Sequence, residues 1–129
     1  MSTRPGFCPA CFAPLDQSAE RCPVCGARMA DLSARDYGEK LLHALEHPLA
    51  DVRLRAILAL GRCSVAGAAD ALVACALCHP VDVVEGLEVV RSLRGPGPDG
   101  ARRRALARLV REHPAHAVRE AARRAAEAP

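Results

Sequence analysis

The chain has 129 residues, of which 50% are hydrophobic, 26% charged and 2% aromatic, and its formal net charge is +3. That balance can bury a core and keep the chain in solution, and so small a net charge does not by itself imply a nucleic-acid partner. No apolar run reaches the roughly 20 residues of a membrane span, and the opening residues lack the basic-then-apolar pattern of a secretory leader, so a cytoplasmic protein with no membrane partner is expected.

Phe7, Phe12 and Tyr37 are the only aromatic residues. The remainder must pack with Leu, Val, Ile and Ala, and Ala has the highest helix propensity, so a mainly α body is expected. Arg supplies seventeen of the eighteen basic residues, a usage typical of a high-GC bacterial genome. Charge is unevenly placed: residues 35–100 carry seven basic and nine acidic groups, a net of −2, whereas residues 101–129 carry eight Arg and three Glu, a net of +5.

Four of the seven cysteines form two Cys-x-x-Cys pairs, Cys8 with Cys11 and Cys22 with Cys25. In a reducing compartment that spacing favours a metal over disulfides. Each pair can fold back so that two thiolates face one ion. Pro9 and Pro23 restrict φ inside the knuckles, and Gly26 stands where such a turn often needs a positive φ. Ten residues separate Cys11 from Cys22, enough for a minimal hairpin. Four thiolates in tetrahedral geometry suit Zn²⁺ and leave no open coordination position for chemistry. An iron centre of the rubredoxin kind fits the same ligands, and two disulfides or four thiols are the remaining alternatives; with aromatic residues so sparse, structural zinc leads.

Residues 7–29, with Cys-Pro-x-Cys and Cys-Pro-x-Cys-Gly, resemble the small zinc-ribbon modules found at the ends of many bacterial proteins. Phe12 departs from that pattern, standing where the first knuckle commonly has Gly.

The rest of the chain repeats itself. His47-Pro48, His79-Pro80 and His113-Pro114 recur at spacings of 32 and 34 residues, each followed four residues after the Pro by a Val: Val52, Val84 and Val118. Arg53 and Arg119 follow two of these; Glu85 takes the middle place. Pro cannot continue a helix but can open one, so each motif reads as a tight turn between two helices. Ser33 is expected to cap the first helix, with Asp36 three residues on and Leu32 stapled to Tyr37. Tyr37, Leu41, Leu42 and Leu45 then form its apolar stripe, and Val52, Ala56, Ala59, Leu60 and Cys63 that of the second. Ala71, Leu72, Cys75 and Cys78 are expected to face inward from the third helix, and Val83, Leu87, Val90 and Leu93 from the fourth. Gly95–Gly100 is a break. Ala105, Leu106, Leu109 and Val110 line the fifth helix, and Val118, Ala121, Ala122 and Ala125 the sixth. Six helices make three hairpins.

The stretch His-Pro-Leu-Ala-Asp-Val-Arg-Leu-Arg-Ala-Ile-Leu-Ala-Leu-Gly, residues 47–61, resembles one unit of a HEAT-like repeat, of the short bacterial kind also seen in phycobilisome lyase-type proteins. The resemblance covers about residues 36–128; the second unit departs at Glu85 and Glu88, and the third is an Ala- and Arg-rich cap. It implies a right-handed α-solenoid of about three helical hairpins over residues 32–129, behind a zinc ribbon and linker at residues 1–31. Similar proteins use the solenoid as a binding surface or scaffold, and a minority are enzymes. Three units sit near the lower limit for a continuous core, which leaves room for a partner or a homo-oligomer.

Other constellations carry less. Cys75-Ala76-Leu77-Cys78-His79 matches a c-type haem attachment motif, but attachment requires export, the cysteines fall on the expected apolar stripe, and His79 is explained by the repeat. A second zinc site at Cys63, Cys75 and Cys78 is set aside for the same reason. The His-Pro histidines are read as turn or C-cap residues. Arg102, Arg103, Arg104, Arg108, Arg111, Arg119, Arg123 and Arg124 could form a phosphate-seeking face, against the simpler reading of a solvated surface interspersed with Glu112, Glu120 and Glu127. No stacking platform for single strands accompanies them, nor the aromatic and acidic cleft of HEAT-like DNA glycosylases. None of Ser2, Ser18, Ser33, Ser64 and Ser92 lies in a nucleophile elbow, and no phosphate-binding glycine pattern is present. The expected function is a non-enzymatic protein–protein adaptor or scaffold with structural Zn²⁺ at Cys8, Cys11, Cys22 and Cys25. The alternatives are a nucleic-acid-associated regulator and a lyase- or chaperone-like factor acting on a client protein.

Overall fold

A computed structural model of the chain describes residues 8, 11, 13–15, 19–28, 34–94 and 99–127. These are mainly helical: α1 (Ala34–Ala44), α2 (Ala50–Leu60), α3 (Ala68–Cys78), α4 (Val83–Ser92), α5 (Asp99–Glu112) and α6 (His116–Glu127). Among the described residues there is no strand, only isolated bridge positions such as the antiparallel pair Arg21 and Arg28. No helix among them is long and apolar enough to cross a membrane. The chain divides into two compact units, Met1–Ala59 and Leu60–Pro129. The junction expected at residues 31–32, the Ser33 cap and residues 95–98 of the expected break lie outside the described residues; the last two residues of that break, Asp99 and Gly100, instead open α5.

Pro48, Pro80 and Pro114 each fall between two helices, as the turn reading requires. Two of the three corners share one set of contacts. His47 Nδ1 accepts from the Leu49 N–H at 3.1 Å, and His113 Nδ1 accepts from the Ala115 N–H at 3.1 Å. Arg53 donates from Nη1 to the carbonyls of His47 (2.9 Å) and Pro48 (3.0 Å). Arg119 does the same to His113 (2.9 Å) and Pro114 (2.7 Å). The carbonyls of these turns therefore receive a charged donor from the next helix, a bond type stronger than a neutral one.

The middle corner is built differently. Glu85 replaces the arginine and lacks the forked N–H donors of a guanidinium, so it cannot clamp two carbonyls. Helix α4 opens one residue later in the motif and is capped by Asp82, whose side chain accepts from the Glu85 N–H at 3.0 Å. His79, relieved of capping, donates from Nδ1 to the Cys75 carbonyl at 2.9 Å.

In the second unit, α3 packs on α5 and α4 on α6, while α3 also meets α4 and α5 meets α6. Like helices of successive hairpins thus lie side by side. Leu60, Leu72, Val73, Cys75, Ala76, Val89, Val90, Leu93, Ala105, Leu106, Leu109, Val118 and Ala122 are its buried apolar residues. In the first unit Leu41, Ala44, Leu45, Ala56, Ile57 and Ala59 are buried.

Two expected faces are corrected. On α4, Val90 and Leu93 are buried, but Val83 and Leu87 are exposed, and the helix instead buries Glu85, Gly86, Val89 and Ser92. Gly86 explains the rotation: a Cβ there would lie 2.7 Å from Val118 Cγ2, so only a glycine lets α4 approach α6 along that line. On α3, Cys75 is buried but Cys78 is exposed, because the buried stripe runs through Leu72, Val73, Cys75 and Ala76.

His113 is 1% exposed and sits beside Gly86. With Nδ1 accepting from Ala115, the neutral ring carries its proton on Nε2, which has no aligned hydrogen-bond partner. Burial holds its pKa below the ordinary 6.5; the nearby Ala76 carbonyl opposes this and Arg119 adds to it. A pKa lowered by folding gives stability that is full above the unfolded value and is lost as pH falls toward the folded one. Thermal melts between about pH 7 and about pH 5.5 should show falling stability, with a shallower slope in His113→Asn. An unchanged slope would assign the dependence to other groups.

Candidate metal centre

Two short loops carry the four cysteines predicted as ligands, and the loops are built alike. The Cys8 N–H donates to the Ala13 carbonyl and the Cys22 N–H to the Ala27 carbonyl, both at 2.9 Å and both five residues on. Gly26 adopts φ 78°, as the spacing anticipates, and its N–H donates to the Cys22 carbonyl at 2.9 Å. The Val24 N–H points at Cys22 Sγ, 3.4 Å away. Phe12, the departure in the first knuckle, lies outside the described residues.

The structure brings all four sulfurs together, every pair lying within 4.8 Å. Cys8 Sγ and Cys25 Sγ are 3.6 Å apart, and Cys11 Sγ and Cys22 Sγ 3.7 Å. Tetrahedral zinc with Zn–S bonds of about 2.3 Å requires sulfur separations of about 3.8 Å. None of the four is in a disulfide. Cys8 and Cys22 are buried, Cys11 and Cys25 exposed, so the pocket has an inner and an outer sulfur from each knuckle.

The electrostatics fit a cation. Backbone N–H groups of Cys25 and Val24 bring the Cys22 thiol down to about 6, so it ionises readily. Loss of water pushes Cys11 up to about 12, and the other three cysteines push the same way, although the Ala13 backbone opposes them. The Cys22 thiolate is easily formed and that of Cys11 is resisted: sulfurs at this spacing repel as anions unless a divalent ion neutralises them. The donor set could therefore hold a metal ion such as zinc, with all four positions filled by protein.

The remaining candidates separate. Cys75 and Cys78 occupy buried and exposed positions, so the haem-like motif does not present two thiols to one face. Sequence reasoning missed a different grouping, in which Cys75, His79 and Glu85 offer ligand atoms that all lie within 4.8 Å of one another. The one available signal was the exchange of Arg for Glu85 in the middle motif. Among the C-terminal arginines, Arg119 is committed to the His113 and Pro114 carbonyls, Arg108 pairs with Glu112 at 2.9 Å, and Arg123 pairs with Glu120. Compared with known family models, curated proteins and solved structures, the chain finds no match.

Proposed function

We propose that this chain is a non-enzymatic protein-interaction adaptor, in which a zinc-ribbon-like knuckle pair at residues 7–29 holds structural Zn²⁺ and a HEAT-like solenoid of helical hairpins offers a docking face. A closed four-sulfur site provides shape without an open coordination position. Recurrence of the His-Pro corner, with its arginine clamp, supports the repeat assignment.

One observation carries the reading. Val81 is 93% exposed and Val84 62%, next to Val83 and Leu87, which are also exposed. Val118, the counterpart of Val84 in the third motif, is 0% exposed. A cluster of aliphatic side chains left in water at the start of one helix forgoes about 1.5–3 kcal/mol per fully burying side chain, and clustered apolar exposure of this kind marks interaction surfaces. The basic reading has less support, since Arg108, Arg119 and Arg123 already have partners within the chain.

The test is affinity capture with the full chain alongside a Val81→Asp/Val84→Asp variant. Both sites are exposed, so the variant keeps its fold. A protein retained by the wild type and released by the variant supports the adaptor reading. An identical catch by both, or a nucleic-acid shift that weakens steeply with salt, removes it.

A further inference from the structure

We propose that Cys75, His79 and Glu85 form a second metal site, for a borderline divalent ion of the zinc class, at the middle corner of the repeat. Cys75 and His79 are four residues apart, on α3 and at its C-terminal end, and so lie on one side of it. Glu85 projects from the first turn of α4, across the turn. Cys75 Sγ lies 3.5 Å from Glu85 Oε1, and His79 Nδ1 lies 3.4 Å from Glu85 Oε2. Tetrahedral zinc with bonds of about 2.1 Å to nitrogen and oxygen and about 2.3 Å to sulfur sets N···O near 3.4 Å and S···O near 3.6 Å. Cys75 Sγ and His79 Nδ1 each stand at about that distance from a different Glu85 oxygen, and the three residues offer ligand atoms within 4.8 Å of one another.

Charge and access agree with the distances. A Cys75 thiolate and a Glu85 carboxylate neutralise one divalent ion inside a corner where both residues are buried. The His79 side chain is 31% exposed, which gives the ion a path from solvent. Sulfur, imidazole and carboxylate together select zinc-class ions over calcium or magnesium, which prefer all-oxygen sites. Three protein ligands leave a fourth position for water or for a group from a partner. Binding requires the His79 ring to give up its bond to the Cys75 carbonyl, so that the Nδ1 lone pair faces the ion and the proton moves to Nε2.

The same corner in the other two motifs cannot do this. There the residue six after the histidine is Arg53 or Arg119, a cation bonded to the turn carbonyls, and Nδ1 of His47 or His113 accepts a backbone N–H. In the middle motif one exchange, arginine to Glu85, removes the clamp and supplies the anion. The Asp82 cap then frees His79 from the turn. Both changes converge on one point.

The experiment is equilibrium dialysis of the full chain against Zn²⁺ followed by elemental analysis, with helicity checked by circular dichroism. Wild type should hold about two ions per chain, and Cys75→Ser should hold about one. His79→Gln, at a partly exposed position, repeats the measurement in case the Cys75 variant does not fold. Cys78→Ser should keep both ions. A Cys8→Ser/Cys11→Ser variant should keep the second ion alone, which separates this site from the four-cysteine cluster. A wild type with a single ion, untouched by Cys75→Ser and His79→Gln, overturns the second site and leaves the first standing. Loss of an ion from Cys78→Ser overturns the ligand set, and no bound zinc in any variant overturns both sites.

Discussion

Stripping metal with a strong chelator should erase the backbone protection of Cys22–Arg28 while the ellipticity of the six helices persists. Among the described residues before Ala34, the only buried ones are Cys8 and Cys22. With no other buried residue among those described to supply a hydrophobic driving force, ion binding is expected to supply the folding free energy, on the order of 10–16 kcal/mol in comparable zinc peptides. Cys22→Ser should act like the chelator, since it removes a buried member of the four-sulfur cluster, one whose thiol the backbone brings down to about 6. Hydrogen exchange followed by mass spectrometry reads both. Protection of Cys22–Arg28 that survives complete demetallation would show that the knuckles fold without an ion.

Truncating Leu109 to Ala should be the most damaging single change in the second unit. Leu109 is 0% exposed and lies on α5, the helix that packs against both α3 and α6. A buried Leu→Ala exchange costs about 2–5 kcal/mol, combining lost transfer energy with the cavity left behind. At roughly 0.05–0.15 kcal/mol per residue, a unit of about 70 residues has little more than that to lose. The midpoint of thermal unfolding should fall by on the order of 10–30 °C. Arg103→Ala, on the exposed side of the same helix, should move it by no more than about 0.5 kcal/mol allows. Equal effects from the two variants would mean that α5 does not carry the core.

What the sequence made legible follows from how local each signal is. The cysteine knuckles depend on contacts a few residues apart, and Gly26 takes the positive φ while the four cysteines come together as their spacing suggests. Proline breaks and apolar periodicity located six helices, and the inward faces of α5 and α6 were read well because Ala105, Leu106, Leu109, Val118 and Ala122 allow only one stripe. In α4 the run Val83-Val84-Glu85-Gly86-Leu87 supports more than one stripe, and the choice was made by the approach of Gly86 to Val118 on another helix. Nothing within α4 encodes that distance. Recurrence of Arg53 and Arg119 was visible, but their grip on the turn carbonyls was not, since an arginine on a periodic helix reads as solvated until its partners are known. Glu85 looked like a weakened repeat for the same reason.

The unequal corners have a consequence for anyone extending the chain. Residues 47–53 and 113–119 close their turns with the same internal contacts, an imidazole on a backbone N–H and a guanidinium on the turn carbonyls. Residues 79–85 depend on Asp82 and on a cysteine one turn upstream. A designer adding hairpins should duplicate the outer joints and leave the central one as a single, bespoke corner.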